Sequence, residues 1–165
     1  MLDVRRCSGS CVPIELLLEA DPDRKVIESY RNDCTAFVIS DGEHSQENNN
    51  QTVAALLIFI GVNGNKKHAE LYNISVAPNW QKRGLGSQLL STALERMAKE
   101  GVTRVELGTG TFGYQLTFYQ RHGFRVDRVV KDFFLDHYPQ AIIESGIQHK
   151  DMLRLVWFAP GHISK

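Results

Sequence analysis

Residues 74–101 read as a strand end, a glycine-bearing loop and a long amphipathic helix in direct succession. Ile74-Ser75-Val76 closes a strand, Pro78 denies the ladder its next N–H, and Gln81-Lys82-Arg83-Gly84-Leu85-Gly86-Ser87 opens the helix. Leu85, Leu89, Leu90, Ala93, Leu94, Met97 and Ala98 then recur at three- and four-residue spacing, and Gly101 stands where a helix C-terminus wants glycine. Arg104–Leu107 is a short strand beyond it. A strand–helix–strand unit of this kind predicts a right-handed crossover between parallel strands.

Around that unit the chain predicts strands at Asp3–Arg6, Ala36–Ser40, Thr52–Gly61, Ala69–Val76, Phe124–Val130 and Met152–Phe158. Asp21-Pro22-Asp23 reads as a helix start leading into Arg24–Asn32, with Asp21 as the capping acid and Pro22 in the first position. A shorter helix runs from Tyr114 to His122 and stops at Gly123. A polar turn over 41–50 is expected to be mobile, and Val62-Asn63-Gly64-Asn65 carries an Asn-Gly hairpin signal. The order β-α-α-β-β-β-α-β-α-β-β, without repeat or linker, predicts one α/β domain over residues 1–165, its mixed sheet covered by helices on both faces.

Nineteen basic residues balance nineteen acidic ones, so the cationic surplus of a dedicated nucleic-acid binder is missing. The longest apolar run, Val53 to Ile60, is too short to span a membrane and suits a buried strand. Met1-Leu2-Asp3-Val4-Arg5-Arg6 lacks a secretory apolar core, which predicts a cytoplasmic protein with neither nucleic acid nor membrane as partner. Cys7, Cys11 and Cys34 are too few for a disulfide framework, and Cys7-x3-Cys11 has no second ligand pair, so no metal is expected.

The loop at Gln81–Ser87 carries the chemistry. A helix N-terminus exposes unpaired N–H groups and about half a positive charge, Gly84 and Gly86 let an anion approach the backbone, and Lys82 and Arg83 add charge. That describes a phosphate cradle; the plainer alternative is a strand-to-helix turn whose glycines serve tight packing. A Walker A loop is excluded because no Gly-Lys-Ser/Thr follows.

Gln81-x-x-Gly84-x-Gly86 after a Val76-x-Pro78 strand end resembles the pyrophosphate motif of the GNAT superfamily of N-acetyltransferases. The resemblance runs from about Glu70 to Phe124, and Ala69-Glu70-Leu71-Tyr72 through Gly86 is similar to the histone acetyltransferase branch. It implies a mixed sheet of six to seven strands splayed between the fourth and fifth, with acetyl-CoA as co-substrate. It implies that Ile74, Ser75, Val76, Gln81, Lys82, Arg83, Gly84, Leu85, Gly86 and Ser87 bind the cofactor, with the Val76 N–H as oxyanion donor. Tyr119, in Phe118-Tyr119-Gln120-Arg121-His122-Gly123-Phe124, matches the tyrosine that protonates the leaving thiolate; otherwise it is a core tyrosine. Many members carry an Asn before this Tyr; either Gln115 substitutes for it or that contact is absent.

Glu70 matches the branch's glutamate base and is otherwise a strand carboxylate paired with Lys66 or Lys67. Simple alternation puts Glu70, Tyr72, Ile74 and Val76 on one face and Asn73 on the other, unless a bulge intervenes. Tyr72, Phe134 and Tyr138 are candidates for the acceptor amine, the last two within the acidic, aromatic stretch Asp132–Pro139; there the alternative is core closure under a long loop to Asp151. His122 and His137 read as structural. Gly108-Thr109-Gly110-Thr111-Phe112-Gly113, with Asp132 downstream, imitates a dinucleotide fingerprint, but the residues after Gly113 leave no room for a second mononucleotide half. Those glycines are expected to turn the chain beside the CoA arm. The function expected is acetyl transfer to a primary amine by direct attack in a ternary complex, since no Cys lies near the motifs. The alternatives are a CoA-binding module without turnover and, behind it, an NAD(P)-dependent oxidoreductase. A homodimer through exposed terminal strands fits the same family.

Overall fold

A computed structural model describes residues 2–42 and 51–162. The chain forms two compact units, one running to Val102 and one beginning at Thr103.

The first unit is built on an antiparallel meander of β1 (Arg5–Ser8), β2 (Thr35–Ser40), β3 (Thr52–Ile60) and β4 (His68–Val76), each paired with the next. Two short helices, α1 (Ile14–Leu17) and α2 (Arg24–Tyr30), lie between β1 and β2, and α3 (Leu85–Lys99) follows β4. The continuous apolar run in β3 exists because both faces of that strand are covered. Ala55 and Leu57 join Val12, Ile14, Leu17, Ile27 and Tyr30 in one buried cluster. Helix α3 packs on β2, β3 and β4 with Leu89, Leu90, Ala93, Leu94 and Met97 buried.

Helix α2 starts later than the Asp-Pro-Asp signal suggests. Asp23, not Asp21, is the cap: its Oδ1 accepts the N–H groups of Lys25 and Val26, while Asp21 Oδ1 accepts the Asp23 N–H and holds the cap in place. Asp41 and Gln51 close the polar turn, Gln51 N–H donating to Asp41 Oδ1 at 2.8 Å; residues 43–50 of that turn lie outside the described residues.

The second unit holds β5 (Arg104–Gly110), α4 (Tyr114–Arg121), β6 (Arg125–Val130), α5 (Phe133–His137), a hairpin of β7 (Ile143–Glu144) and β8 (Ile147–Gln148), and β9 (Met152–Phe158). The last strand inserts between β5 and β6, antiparallel to both. Arg154 crosses to Glu106 at 2.8 Å, and Arg104 meets the same carboxylate at 3.2 Å. The loop expected after Pro139 is in part this hairpin. It turns on Ser145 and Gly146, both at positive φ as a tight two-residue connection requires.

Candidate active site

Strand β4 changes face halfway. Its register with β3 runs Ala54–Val76, Leu56–Ile74 and Leu57–Asn73, then slips so that Ile58 meets Leu71 and Phe59 meets Glu70. Tyr72 is the extra residue of a β-bulge. Residues opposite each other in an antiparallel pair share a face, so Glu70 and Ser75 go with Phe59 and Ala55, while Leu71, Ile74 and Val76 go with Ile58, Leu56 and Ala54. Simple alternation is therefore overturned: Glu70 shares its face with Asn73 and lies opposite Ile74 and Val76. That face is the one covered by α1 and α2. Asn73 Nδ2 donates to the Leu17 carbonyl at 3.0 Å and to the Tyr30 hydroxyl at 3.1 Å, and the Tyr72 ring stacks on Tyr30 at 4.9 Å. Asn73 Oδ1 and Ser75 Oγ are buried there without a hydrogen-bond partner.

The outer edge of β4 is set by the same ladder. Ala77 N–H donates to the Val53 carbonyl at 2.8 Å, which makes Ala77–Val53 a hydrogen-bonded pair. Alternation then turns the backbone groups of Val76 and Ile74 away from β3 and those of Ser75 toward Ala55. Ile74 and Val76 thus turn their backbone groups to the side of β4 away from β3. Ser75 does not; its backbone is engaged and its side chain buried, which removes it from the cofactor set.

Beyond Val76 the chain makes a short turn over Pro78–Trp80, and Gln81 folds back to donate from Nε2 to the Val76 carbonyl at 3.0 Å. Lys82 and Gly84 both take left-handed backbone conformations, φ 60° and 81°. For a lysine that conformation is strained, and such strain concentrates at working loops. No side chain caps α3, no acid sits in its first turn, and a Cβ on Gly84 would meet nothing within 4 Å. The first N–H groups of α3 open onto unfilled space flanked by exposed Lys82, Arg83 and Ser87. Leu85 anchors the turn by burying its side chain, Gly86 is the next residue along, and the Arg83 guanidinium lies over the Trp80 ring at 4.8 Å. An uncapped helix start beside two cationic side chains has the groups with which proteins hold anions.

In the second unit Tyr119 is buried, its ring edge-on to Phe118 at 5.3 Å and to Phe124 at 5.8 Å. Burial pushes its phenol well above the ordinary range, so it keeps its proton at any physiological pH. Gln115 is exposed in the first turn of α4. Phe134 and Tyr138 come together across one turn of α5, ring centres 5.8 Å apart. His122 and His137 each bond through Nδ1 to the carbonyl four residues earlier, at 2.8 Å.

The fingerprint-like glycines do something other than turn the chain beside a ligand. A Cβ on Gly108 would strike Met152 Sδ, one on Gly110 the His149 ring, and one on Gly113 would stand 2.5 Å from Glu144 Oε1. The space is filled by the chain itself, and a carboxylate sits where a dinucleotide would put its phosphates. Glu144 and His149 are paired at 2.7 Å with the imidazole flat on Phe112, and nothing in their five-residue spacing announces the contact. Burial pushes the Cys34 thiol up to about 12, helped by the Asp33 and Glu70 charges, and Cys7 is raised in the same way, so neither is a ready nucleophile. Among the described residues no three His, Cys, Asp or Glu side chains gather as a metal needs, and no helix is long and apolar enough to cross a membrane.

A family model described as the acetyltransferase (GNAT) family matches residues 10–124. A Bacillus subtilis protein named as the N-acetyltransferase YvbK is 35% identical over 144 residues, 86% of this chain and 85% of that one. An IAA acetyltransferase from Bacillus cereus superposes with a TM-score of 0.83 at 31% identity, covering 96% of this chain and all of its own. A GNAT family acetyltransferase from Elizabethkingia anophelis, solved with acetyl-CoA bound, gives 0.81 at 29% identity over 96% of this chain and 98% of its own.

Proposed function

The chain belongs to the acetyltransferase (GNAT) family and has its mixed, helix-flanked fold, and from that premise we propose that it moves an acetyl group from acetyl-CoA to a primary amine by direct attack. The observation that carries the reading is the uncapped start of α3 beside a strand edge that faces away from β3. In it the N–H groups of Leu85, Gly86 and Ser87, with Lys82 and Arg83, hold the pyrophosphate over Gly84. The edge groups of Ile74 and Val76 pair with the pantetheine arm as an added strand would. Gln81 fixes the Val76 carbonyl, which leaves the Val76 N–H as the donor to the charge developing on the carbonyl oxygen.

Acetyl-CoA supplies an acyl group on a good leaving thiolate. The amine nitrogen bonds to the acetyl carbon and the C–S bond breaks. One proton passes from the amine to Glu70 through a water, and one from Tyr119 to the thiolate. Burial raises the Tyr119 phenol, so it meets the reaction protonated; it gives that proton to the thiolate as the C–S bond breaks and recovers one from solvent before the next turnover. Because Glu70 lies on the α1/α2 face, the acceptor approaches over that face. Phe134 and Tyr138 are proposed as further acceptor contacts, and Gln115 as a cofactor contact. The matched family region crosses the Val102–Thr103 boundary, in support of both units acting as one domain. We place the enzyme in the cytoplasm. A second copy would pair along β6, whose Val126 and Val129 are 49% and 53% exposed.

Titration calorimetry with acetyl-CoA, followed by thiol release over a panel of amines, tests the reading. Acceptor-dependent release is expected. Tight nucleotide binding with no release for any amine would leave a CoA-binding module instead.

A further inference from the structure

On the α1/α2 face, next to the bulge, lies an open notch of about 170 Å³ lined by Ser29, Tyr30, Asp33, Phe59 and Tyr72. Its walls are aromatic: Tyr30 and Tyr72 stack at 16° between planes, Tyr72 is 41% exposed, and Phe59 stands opposite Glu70 in the β3–β4 ladder. The charged residue of its lining is Asp33, and Glu70 is the cross-strand partner of the lining Phe59. The buried Cys34 thiol, raised first by burial, is raised further by the Asp33 and Glu70 charges. Arg31, two residues before Asp33, is turned away to the Ser10 carbonyl at 2.8 Å. Aromatic faces and a carboxylate around a small open volume suit an alkylammonium, which gains from both ring quadrupole and charge.

The notch is also placed in register with the chemistry. Tyr72 precedes Ile74 by two residues and Val76 by four, so at about 3.3 Å per strand residue the notch stands roughly 7 to 13 Å from the backbone groups assigned above to the acetyl donor. A short alkyl chain spans that distance.

We infer that this notch binds a second, distal ammonium of the acceptor, making the substrate class α,ω-diamines and polyamines rather than monoamines. The inference rests on the transferase reading above, which chose no class of amine. The bulge is what makes the site: the inserted Tyr72 joins Asn73 on the α2 side, so one ring wall and the base face the same way.

The test compares acetyl transfer to hexylamine and to hexamethylenediamine, which differ only in the distal ammonium, with wild type and Asp33→Asn. The diamine is expected to show a kcat/KM about three- to tenfold higher in the wild type, and Asp33→Asn to bring the ratio to within about twofold. Tyr72→Leu should lower the same ratio by about two- to fivefold. Equal kcat/KM for the two amines in wild type, or an Asp33→Asn loss shared alike by both, overturns the proposal. So does a preference for phenylethylamine over the diamine, which would make the notch a ring pocket. If no amine gives thiol release, the transferase reading fails by itself. Calorimetric binding of hexamethylenediamine to the CoA-loaded protein then decides: binding weakened by Asp33→Asn upholds the notch, and binding indifferent to that change sinks it.

Discussion

Two glycine-bearing strand-to-helix junctions occur in this chain, one in each compact unit, and they use glycine for opposite purposes. At the β4–α3 junction Gly84 takes a left-handed turn with nothing within 4 Å of its absent side chain, and the helix beyond it starts uncapped. At the β5–α4 junction the absent side chains of Gly108, Gly110 and Gly113 are replaced by Met152, His149 and Glu144. The β4–α3 junction leaves room for something from outside; the β5–α4 junction is closed by the protein's own groups, an anion among them. By spacing alone the β5–α4 glycines have the better claim to a nucleotide, because they reproduce a dinucleotide fingerprint. What separates the two junctions is occupancy, which depends on residues well downstream in the chain.

The sharpest way to break this contrast is to supply an anion to the empty junction. Ser87→Asp places a carboxylate in the first turn of α3, where it should stabilise the helix by a few tenths of a kcal/mol to about 1 kcal/mol. The same charge should raise the KM for acetyl-CoA by about a hundredfold through repulsion of the diphosphate. Thermal melting and steady-state kinetics read the two effects, and an unchanged KM would refute the cradle. At the filled junction the pattern should reverse. Gly110→Ala drives a methyl into the His149 ring and should cost about 1–3 kcal/mol in urea denaturation. The loss should be smaller in a His149→Ala background; additive losses would show that the ring does not fill that space.

Tyr119→Phe should reduce kcat about tenfold, the low end of what a general acid contributes, while calorimetric CoA affinity holds. An unaltered rate would return Tyr119 to the core role its burial equally allows. Independent of both junctions, and confined to high pH, is an alkaline effect. The Cys34 thiol has its pKa raised by folding from 9.0 to about 12, so the folded state retains a proton the unfolded chain gives up. Its contribution is therefore complete below about pH 9 and declines as pH rises toward 12. Cys34→Ala should flatten stability against pH over that window.

Sequence reasoning reaches as far as local periodicity and chemistry allow. The apolar run of β3, the heptad-like face of α3 and the Gln81–Ser87 loop all fall where the pattern puts them, because each is dictated within its own segment. The capping acid of α2 stands two residues later than its signal implies, because Asp21 and Asp23 flank Pro22 symmetrically and only the fold decides between them. The β7–β8 hairpin has its Ser145-Gly146 turn in plain view, but two-residue strands carry no alternation to recognise. The Glu144–His149 pair and the lining of the three glycines are tertiary facts. Hardest to see is the bulge: Ala69, Leu71, Asn73 and Ser75 are all buried, so the alternation runs on unbroken although the face has changed between them.

That hidden slip means β4 behaves like a screw thread with a half-pitch offset. An apolar substitution at 69 or 71 is judged by the hydrocarbon packing shared with Ile58 and Ile60, whereas the same change at 73 or 75 lands among the polar atoms beneath α1 and α2. Deleting Tyr72 would close the ladder into an unbroken register with Glu70 still opposite Phe59, whereas drawing Tyr72 into the ladder opposite Ile58 would slide Glu70 opposite Ile60, on the other side of the sheet, and part the carboxylate from the amine it is meant to deprotonate.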